Sequence, residues 1–151
     1  MNNFEPFERV MLTANGTLQV VVSSYFNTVV RVVPVCSVPR GGAQSNVYDR
    51  EVQLWVDWDN GRSQQFAVCR STVVVSDPVL QGDVQQGTIG IGQIFEHIRQ
   101  KPKFQFQAAG RGRTDLEGKQ VVTRQYRLEC SAITCHIYEQ IWLQDLLVSP
   151  S

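Results

Sequence analysis

Four charged residues, Arg50, Arg70, Arg124 and Glu139, stand where strand alternation places apolar side chains. Successive side chains of a β-strand point to opposite faces, so parity assigns each residue a side. In VYDREVQLWVDW, residues 47–58, Arg50 shares a side with Tyr48, Val52, Leu54, Val56 and Trp58, while Asp49, Glu51, Gln53 and Asp57 take the other. The same count groups Arg70 with Phe66, Val68, Thr72 and Val74, and Arg124 with Val122, Tyr126, Leu128 and Cys130. In CHIYEQIWL, residues 135–143, Glu139 lies with Cys135, Ile137, Ile141 and Leu143, opposite His136, Tyr138, Gln140 and Trp142. An unpaired buried charge costs several kcal/mol, so these groups must pair or face a cavity. Three guanidiniums against one carboxylate leave a surplus of about two positive charges, which a carboxylate ligand held by the planar arginine fork would balance. The pattern thus points to an enclosed anion-binding cavity. The competing readings are an internal Arg–Glu bridge, or a bulge that turns one or two of the four outward.

The elements that must aim these residues follow from periodicity. Leu18, Val21, Val22, Tyr25 and Phe26 have helical spacing and predict a helix over about 16–26, although the run Val20, Val21 and Val22 favours a strand. Thr13 or Asn15 would cap it. A strand is expected at about 29–38, then a loop over 39–46. Two long strands at about 47–58 and 63–76 join through Asp59-Asn60-Gly61, a hairpin signal. SDPVLQGDVQQG is a polar connection into a second helix at about 90–100, whose apolar face is Ile91, Ile94, Phe95 and Ile98 and which Lys101-Pro102 ends. A short strand at 104–109 would carry Phe104, Phe106 and Ala108 on one face. A polar loop over 110–119 and two strands at about 120–129 and 134–146 complete the chain. The sum is an α+β fold, one antiparallel sheet of about six strands with two or three helices.

A chain of 151 residues is expected to form a single domain spanning 1–151, with enough apolar content, 42%, to bury a core. Fourteen basic and fourteen acidic residues cancel, which argues against nucleic acid or an anionic membrane as partner. No run of about 18 apolar residues predicts a transmembrane helix, and MNNFEPFERV lacks the basic and apolar regions of a signal peptide. Cys36, Cys69, Cys130 and Cys135 form no CxxC pair, and His97 and His136 do not complete a zinc set. Reduced thiols, no metal and a cytoplasmic location are expected. GTIGIGQIF, residues 87–95, lacks the GxGxxG spacing and is taken as a helix entry rather than a nucleotide loop. His97 and His136 fall on polar faces. Trp55 and Trp142 fall on outer parities, which leaves monomer or homodimer open.

In their order along the chain, several short motifs resemble the chorismate lyase-like family. The opening PFERVMLTANGTLQVVV is similar to that family's start, with Leu12-Thr13 and then Asn-Gly-Thr entering a helix. REVQL from Arg50 and CRSTVVV around Arg70 resemble its two arginine strands. GIGQIF at 90–95 stands where the family has Pro-Leu-Gly, and TRQYRL with IYEQIWL resembles its final strand pair ending in a glutamate. The resemblance implies a six-stranded antiparallel sheet and a small-molecule ligand enclosed beneath helical flaps. It implies a cofactor-independent carbon–oxygen lyase that removes pyruvate from chorismate and leaves 4-hydroxybenzoate. Arg50 would grip a substrate carboxylate and Glu139 would handle or polarise the hydroxyl end, making these the catalytic pair. Arg70, Arg124, Ile91 and Thr13 would bind substrate or support the pocket. Gly90-Ile91-Gly92 in place of Pro-Leu-Gly suits a changed substrate. The fold family also resembles small cyclases of fungal secondary metabolism, which add a phenol to a prenyl alkene in a cofactor-free pocket. A small-molecule binding protein without turnover is the third reading.

Overall fold

The computed structural model describes residues 18–42, 45–86, 90–113 and 120–142, together with Pro6 and Glu8. Helix α1 spans Leu18–Phe26, and strand β1 follows at Val29–Pro39. Strands β2, Val47–Asp57, and β3, Ser63–Val75, form the expected hairpin. Its turn closes through Gly61 at φ 82°, with the Trp58 N–H donating to the Arg62 carbonyl at 2.8 Å. A 3-10 turn, Pro78–Leu80, and helix α2, Gln81–Gln86, lead to helix α3, Ile91–His97. Strands β4, Lys103–Arg113, β5, Gln120–Glu129, and β6, Ile133–Ile141, complete the sheet. The six strands are antiparallel in the order β1-β2-β3-β6-β5-β4. The α+β class and the single antiparallel sheet therefore stand as expected.

Several boundaries move for physical reasons. The polar connection after β3 is partly helical, because the Asp77 side chain accepts from the Val79 N–H at 3.0 Å and starts the 3-10 turn, with Pro78 at its first position. Helix α3 is shorter than its apolar face suggests, since Arg99 turns to φ 55° and the chain leaves the helix. Strand β4 runs to Arg113 rather than ending at 109, and a bulge between Phe106 and Ala108 puts Ala108 on the face opposite Phe106. Thr13, Asn15, Gly16 and the expected strand extension over 143–146 lie outside the described residues.

Helices α1, α2 and α3 cover one face of the sheet and divide its core in two. Leu18 and Val22 of α1 pack on Val30, Leu54, Val56, Phe66, Val122 and Ile141. Leu80, Val84, Ile94 and Phe95 pack on Tyr48, Val73, Leu128, Ile133 and Cys135. Each cluster buries large side chains that individually stabilise the fold by about 1.5–3 kcal/mol. Between the two clusters the covered face turns polar. Among the described residues no helix is long and apolar enough to cross a membrane.

Candidate functional site

The strand registers arrange the covered face as transverse rows. One apolar row is Pro39, Tyr48, Val73, Cys135, Leu128 and Phe104, and another is Val32, Leu54, Ala67, Ile141 and Val122, which ends on β4 at the charged Arg111. Two rows between them carry the polar groups. The first is Ser37, Arg50, Ser71, Ile137, Tyr126 and Phe106, and the second is Pro34, Val52, Cys69, Glu139, Arg124 and Ala109. Arg50 and Ser71 thus come from the N-terminal three strands, and Glu139, Arg124 and Tyr126 from the C-terminal three. They meet because β3 pairs with β6.

Glu139 is the centre of a buried network. Arg124 Nε donates to its Oε1 at 2.6 Å, and the Tyr126 hydroxyl donates to its Oε2 at 3.0 Å. The Cys69 thiol donates to the same Oε2 at 3.8 Å. Arg124 is fully buried and Glu139 is 2% exposed, so the pair is shielded from water. The Arg124 guanidinium also lies 4.2 Å from the centre of the Tyr126 ring, a cation–π contact. Three donors converge on one carboxylate and fix its position.

These contacts set the protonation of their neighbours. Burial pulls the Arg124 pKa down, but the adjacent Glu139 and Tyr126 outweigh it and the net shift is upward. Burial, reinforced by the Glu139 charge, pushes the Tyr126 phenol and the Cys69 thiol well above their ordinary values. Burial pushes the Cys135 thiol up to about 12 and lowers the Arg50 pKa, with the two groups acting on one another. Both thiols remain protonated near neutrality and are poor nucleophiles.

Arg50, Ser71, Cys69, Tyr126 and Glu139 line a cavity of about 60 Å³. Its floor is the pair of polar rows, flanked by Val32, Val52 and Leu54, and its roof is Leu18 of α1 with Gly90, Ile91 and Gly92 at the start of α3. Gln93 fixes that helix start, its Oε1 accepting from the Gly90 N–H at 2.9 Å. Arg50 and Glu139 therefore face the same hollow, and Ile91 stands above it.

The other sequence-derived candidates divide. Arg124 belongs to the covered face but lies behind Glu139, as its ion-pair partner, and is not among the cavity's lining residues. Arg70 does not point inward. It is exposed on the opposite face, where its Nε donates to Glu51 at 2.8 Å. The cause is a register shift beside Leu54, which pairs with Ala67 while Trp55 pairs with Gln65. Phe66 is the extra residue, and the parity of β3 reverses from Ala67 onward. The same reversal brings Cys69 and Ser71 to the cavity. The sequence count of three inward guanidiniums thus becomes two on these strands. Thr13 lies outside the described residues. Tyr126, Cys69 and Ser71 were missed as site residues. Tyr126 was legible, since it sits two positions from Arg124 on one strand face, whereas Cys69 and Ser71 were hidden by the bulge.

Among the described residues no group of three or more His, Cys, Asp and Glu side chains stands close enough to hold a metal ion. Comparison with protein-family models gives no match to this chain, and comparison with curated proteins gives none either.

Proposed function

We propose that this chain is a cofactor-independent enzyme acting on a small oxygenated aromatic or pre-aromatic molecule, and that its reaction is a carbon–oxygen cleavage of the chorismate pyruvate-lyase type. The observation that supports this most is the pairing of Arg50 and Glu139 on the lining of one cavity, on adjacent rows of the sheet. A guanidinium at one wall suits a substrate carboxylate. A carboxylate at the other wall suits a hydroxyl donor.

In the lyase reaction the bond between the ring carbon and the enolpyruvyl oxygen breaks. The ring loses a proton and becomes aromatic, and the released enolpyruvate takes up a proton as pyruvate. Arg50 would hold a carboxylate and fix the ring. Glu139, held by Arg124, Tyr126 and Cys69, would bond the ring hydroxyl and orient it. Positioning of one flexible ligand away from water is the main contribution asked of the protein. A cavity of about 60 Å³ holds a few water molecules, at roughly 10–15 Å³ for each, whereas a ligand pocket spans roughly 300–1,000 Å³. Admission of substrate therefore requires the roof of Leu18 and Gly90–Gly92 to lift.

The assay is release of pyruvate from chorismate, followed alongside formation of 4-hydroxybenzoate. Turnover is expected, with Arg50→Ala and Glu139→Gln each at least tenfold slower, about 1.4 kcal/mol of lost transition-state stabilisation. Absence of both products overturns the lyase assignment, and unchanged rates in both variants overturn the residue roles. The aliphatic share of the lining, Leu18, Val32, Val52, Leu54, Ile91 and Ile137, favours a second reading, ring closure of a prenylated phenol. Incubation with prenylated phenols tests it. Saturable binding of either compound without product would leave a binding protein.

A further inference from the structure

Three strand pairings set Arg50, Ser71, Ile137 and Tyr126 side by side across the covered face. All four line the inner cavity. The two ends of this line carry long polar side chains and the two middle positions carry shorter ones. The middle is therefore a low floor, and Arg50 and Tyr126 stand as facing walls. Three inter-strand steps put their backbones roughly 14 Å apart. Glu139 lies beside Tyr126 on the neighbouring line, where it pairs with Arg124.

Tyr126 is held both by its ring and by its hydroxyl. The side chain is 1% exposed, and its ring stacks on Phe104 with centres 5.2 Å apart. The Arg124 guanidinium lies 4.2 Å from the ring centre. The hydroxyl donates to Glu139 Oε2 at 3.0 Å, while Arg124 Nε donates to Oε1 at 2.6 Å. Of these two close partners of Glu139, only Tyr126 lines the cavity. A phenol has one proton to give and can still accept. Burial keeps that proton on the oxygen near neutrality, and it is directed at Glu139. What the hydroxyl has left to offer a ligand is its lone pairs.

We propose that Tyr126 is a specificity-determining residue of this site. Its oxygen, beside Glu139, completes an acceptor pair for a donor on the end of the ligand opposite Arg50. This role rests on Arg50 holding the ligand's carboxylate, as proposed above, and gives the substrate class a second pole. The ligand carries an anion at one end, a ring lying over Ser71 and Ile137, and a hydroxyl with a proton to give at the other end. A buried acceptor that a ligand leaves unmet has no water to turn to, so the site discriminates against an analogue of the same shape that lacks the donor.

The test is calorimetric titration of the full chain with 4-hydroxybenzoate, 4-aminobenzoate, 4-fluorobenzoate and benzoate. The first two carry a donor opposite the carboxylate, and the last two do not. The wild-type chain should bind both donor compounds about tenfold or more tighter than the other two. Tyr126→Phe keeps the ring and its contacts and removes only the hydroxyl. It should bind 4-fluorobenzoate and benzoate as the wild type does and lose most of the preference for the donor compounds. Arg50→Ala should weaken all four alike. If none of the four binds the wild type, Arg50 is not the carboxylate anchor, and the role of Tyr126 falls with it. If they bind, the role of Tyr126 alone is overturned by any of three results: a wild type without preference, a Tyr126→Phe variant that keeps the full preference, or one that weakens all four equally, which marks a part in the fold only.

Discussion

At Glu139 the choice of partners decides what the side chain can do. A carboxylate held by a guanidinium, a phenol and a thiol, away from water, is fixed in position. The same shielding makes the ion pair fragile to half-removal. Deleting one member of a buried pair typically costs about 3–5 kcal/mol, because the other charge is left without compensation. Arg124→Met should lower the free energy of unfolding by about that amount, and Arg124→Met with Glu139→Leu should recover most of it. Urea denaturation of the two single variants and the double variant measures the coupling. An equal loss in the double variant would show that the pair is not the source of the cost. Alternation alone put Arg50, Arg124 and Glu139 on the covered face, because their strands keep an unbroken period around those positions. It failed for Arg70, since the run Phe66-Ala67-Val68 is apolar throughout and offers no alternation in which a bulge could be seen.

Among the elements, the hairpin was the most legible, because Asn60-Gly61 between two β-rich runs has few other uses. Gly61 at φ 82° occupies the left-handed region, and a Cβ there would meet open space. The cost of a side chain is therefore conformational alone. Gly61→Ala should lower stability by about 1 kcal/mol, and Gly61→Asn by less, since Asn tolerates this conformation. Thermal melts of both variants check the order. Helix α2 was not legible, because Pro78 and Gly82 punctuate it as they would a loop. What rescues it is tertiary: Leu80 and Val84 are buried against the sheet, and the Ser37 hydroxyl donates to the Val84 carbonyl at 2.6 Å. No local pattern announces such a partner 47 residues away.

The whole molecule gathers several ionisable groups into its interior, and that fixes how its stability depends on pH. Cys69, Cys135 and Tyr126 all have folded pKa values above their ordinary 9.0, 9.0 and 10.0. For such groups the unfolded chain loses protons first. Their contribution to stability is complete below about pH 9 and is lost as pH rises through the unfolded values towards the folded ones. The urea midpoint should hold from neutrality to about pH 9 and then fall steeply. Cys135→Ala, though less stable at neutral pH, should lose less over the alkaline range. An unchanged slope would mean that the thiol titrates equally in both states. Sheet order was the global property that periodicity did not supply. Parity says which side a residue faces, and says nothing about which strands are neighbours.

That order has a consequence in time. The hollow is shared between the first three strands and the last three, and its walls join only where β3 meets β6, at contacts such as Cys69 with Glu139, 70 positions apart. Closing so long a loop is entropically late in folding. Arg50 and Ser71 can settle into the early hairpin while the acid that faces them is still part of an unformed strand. Ligand capture is then a property of the finished fold alone, and a molecule that binds the hollow acts as a clasp on the last joint to form, slowing its reopening.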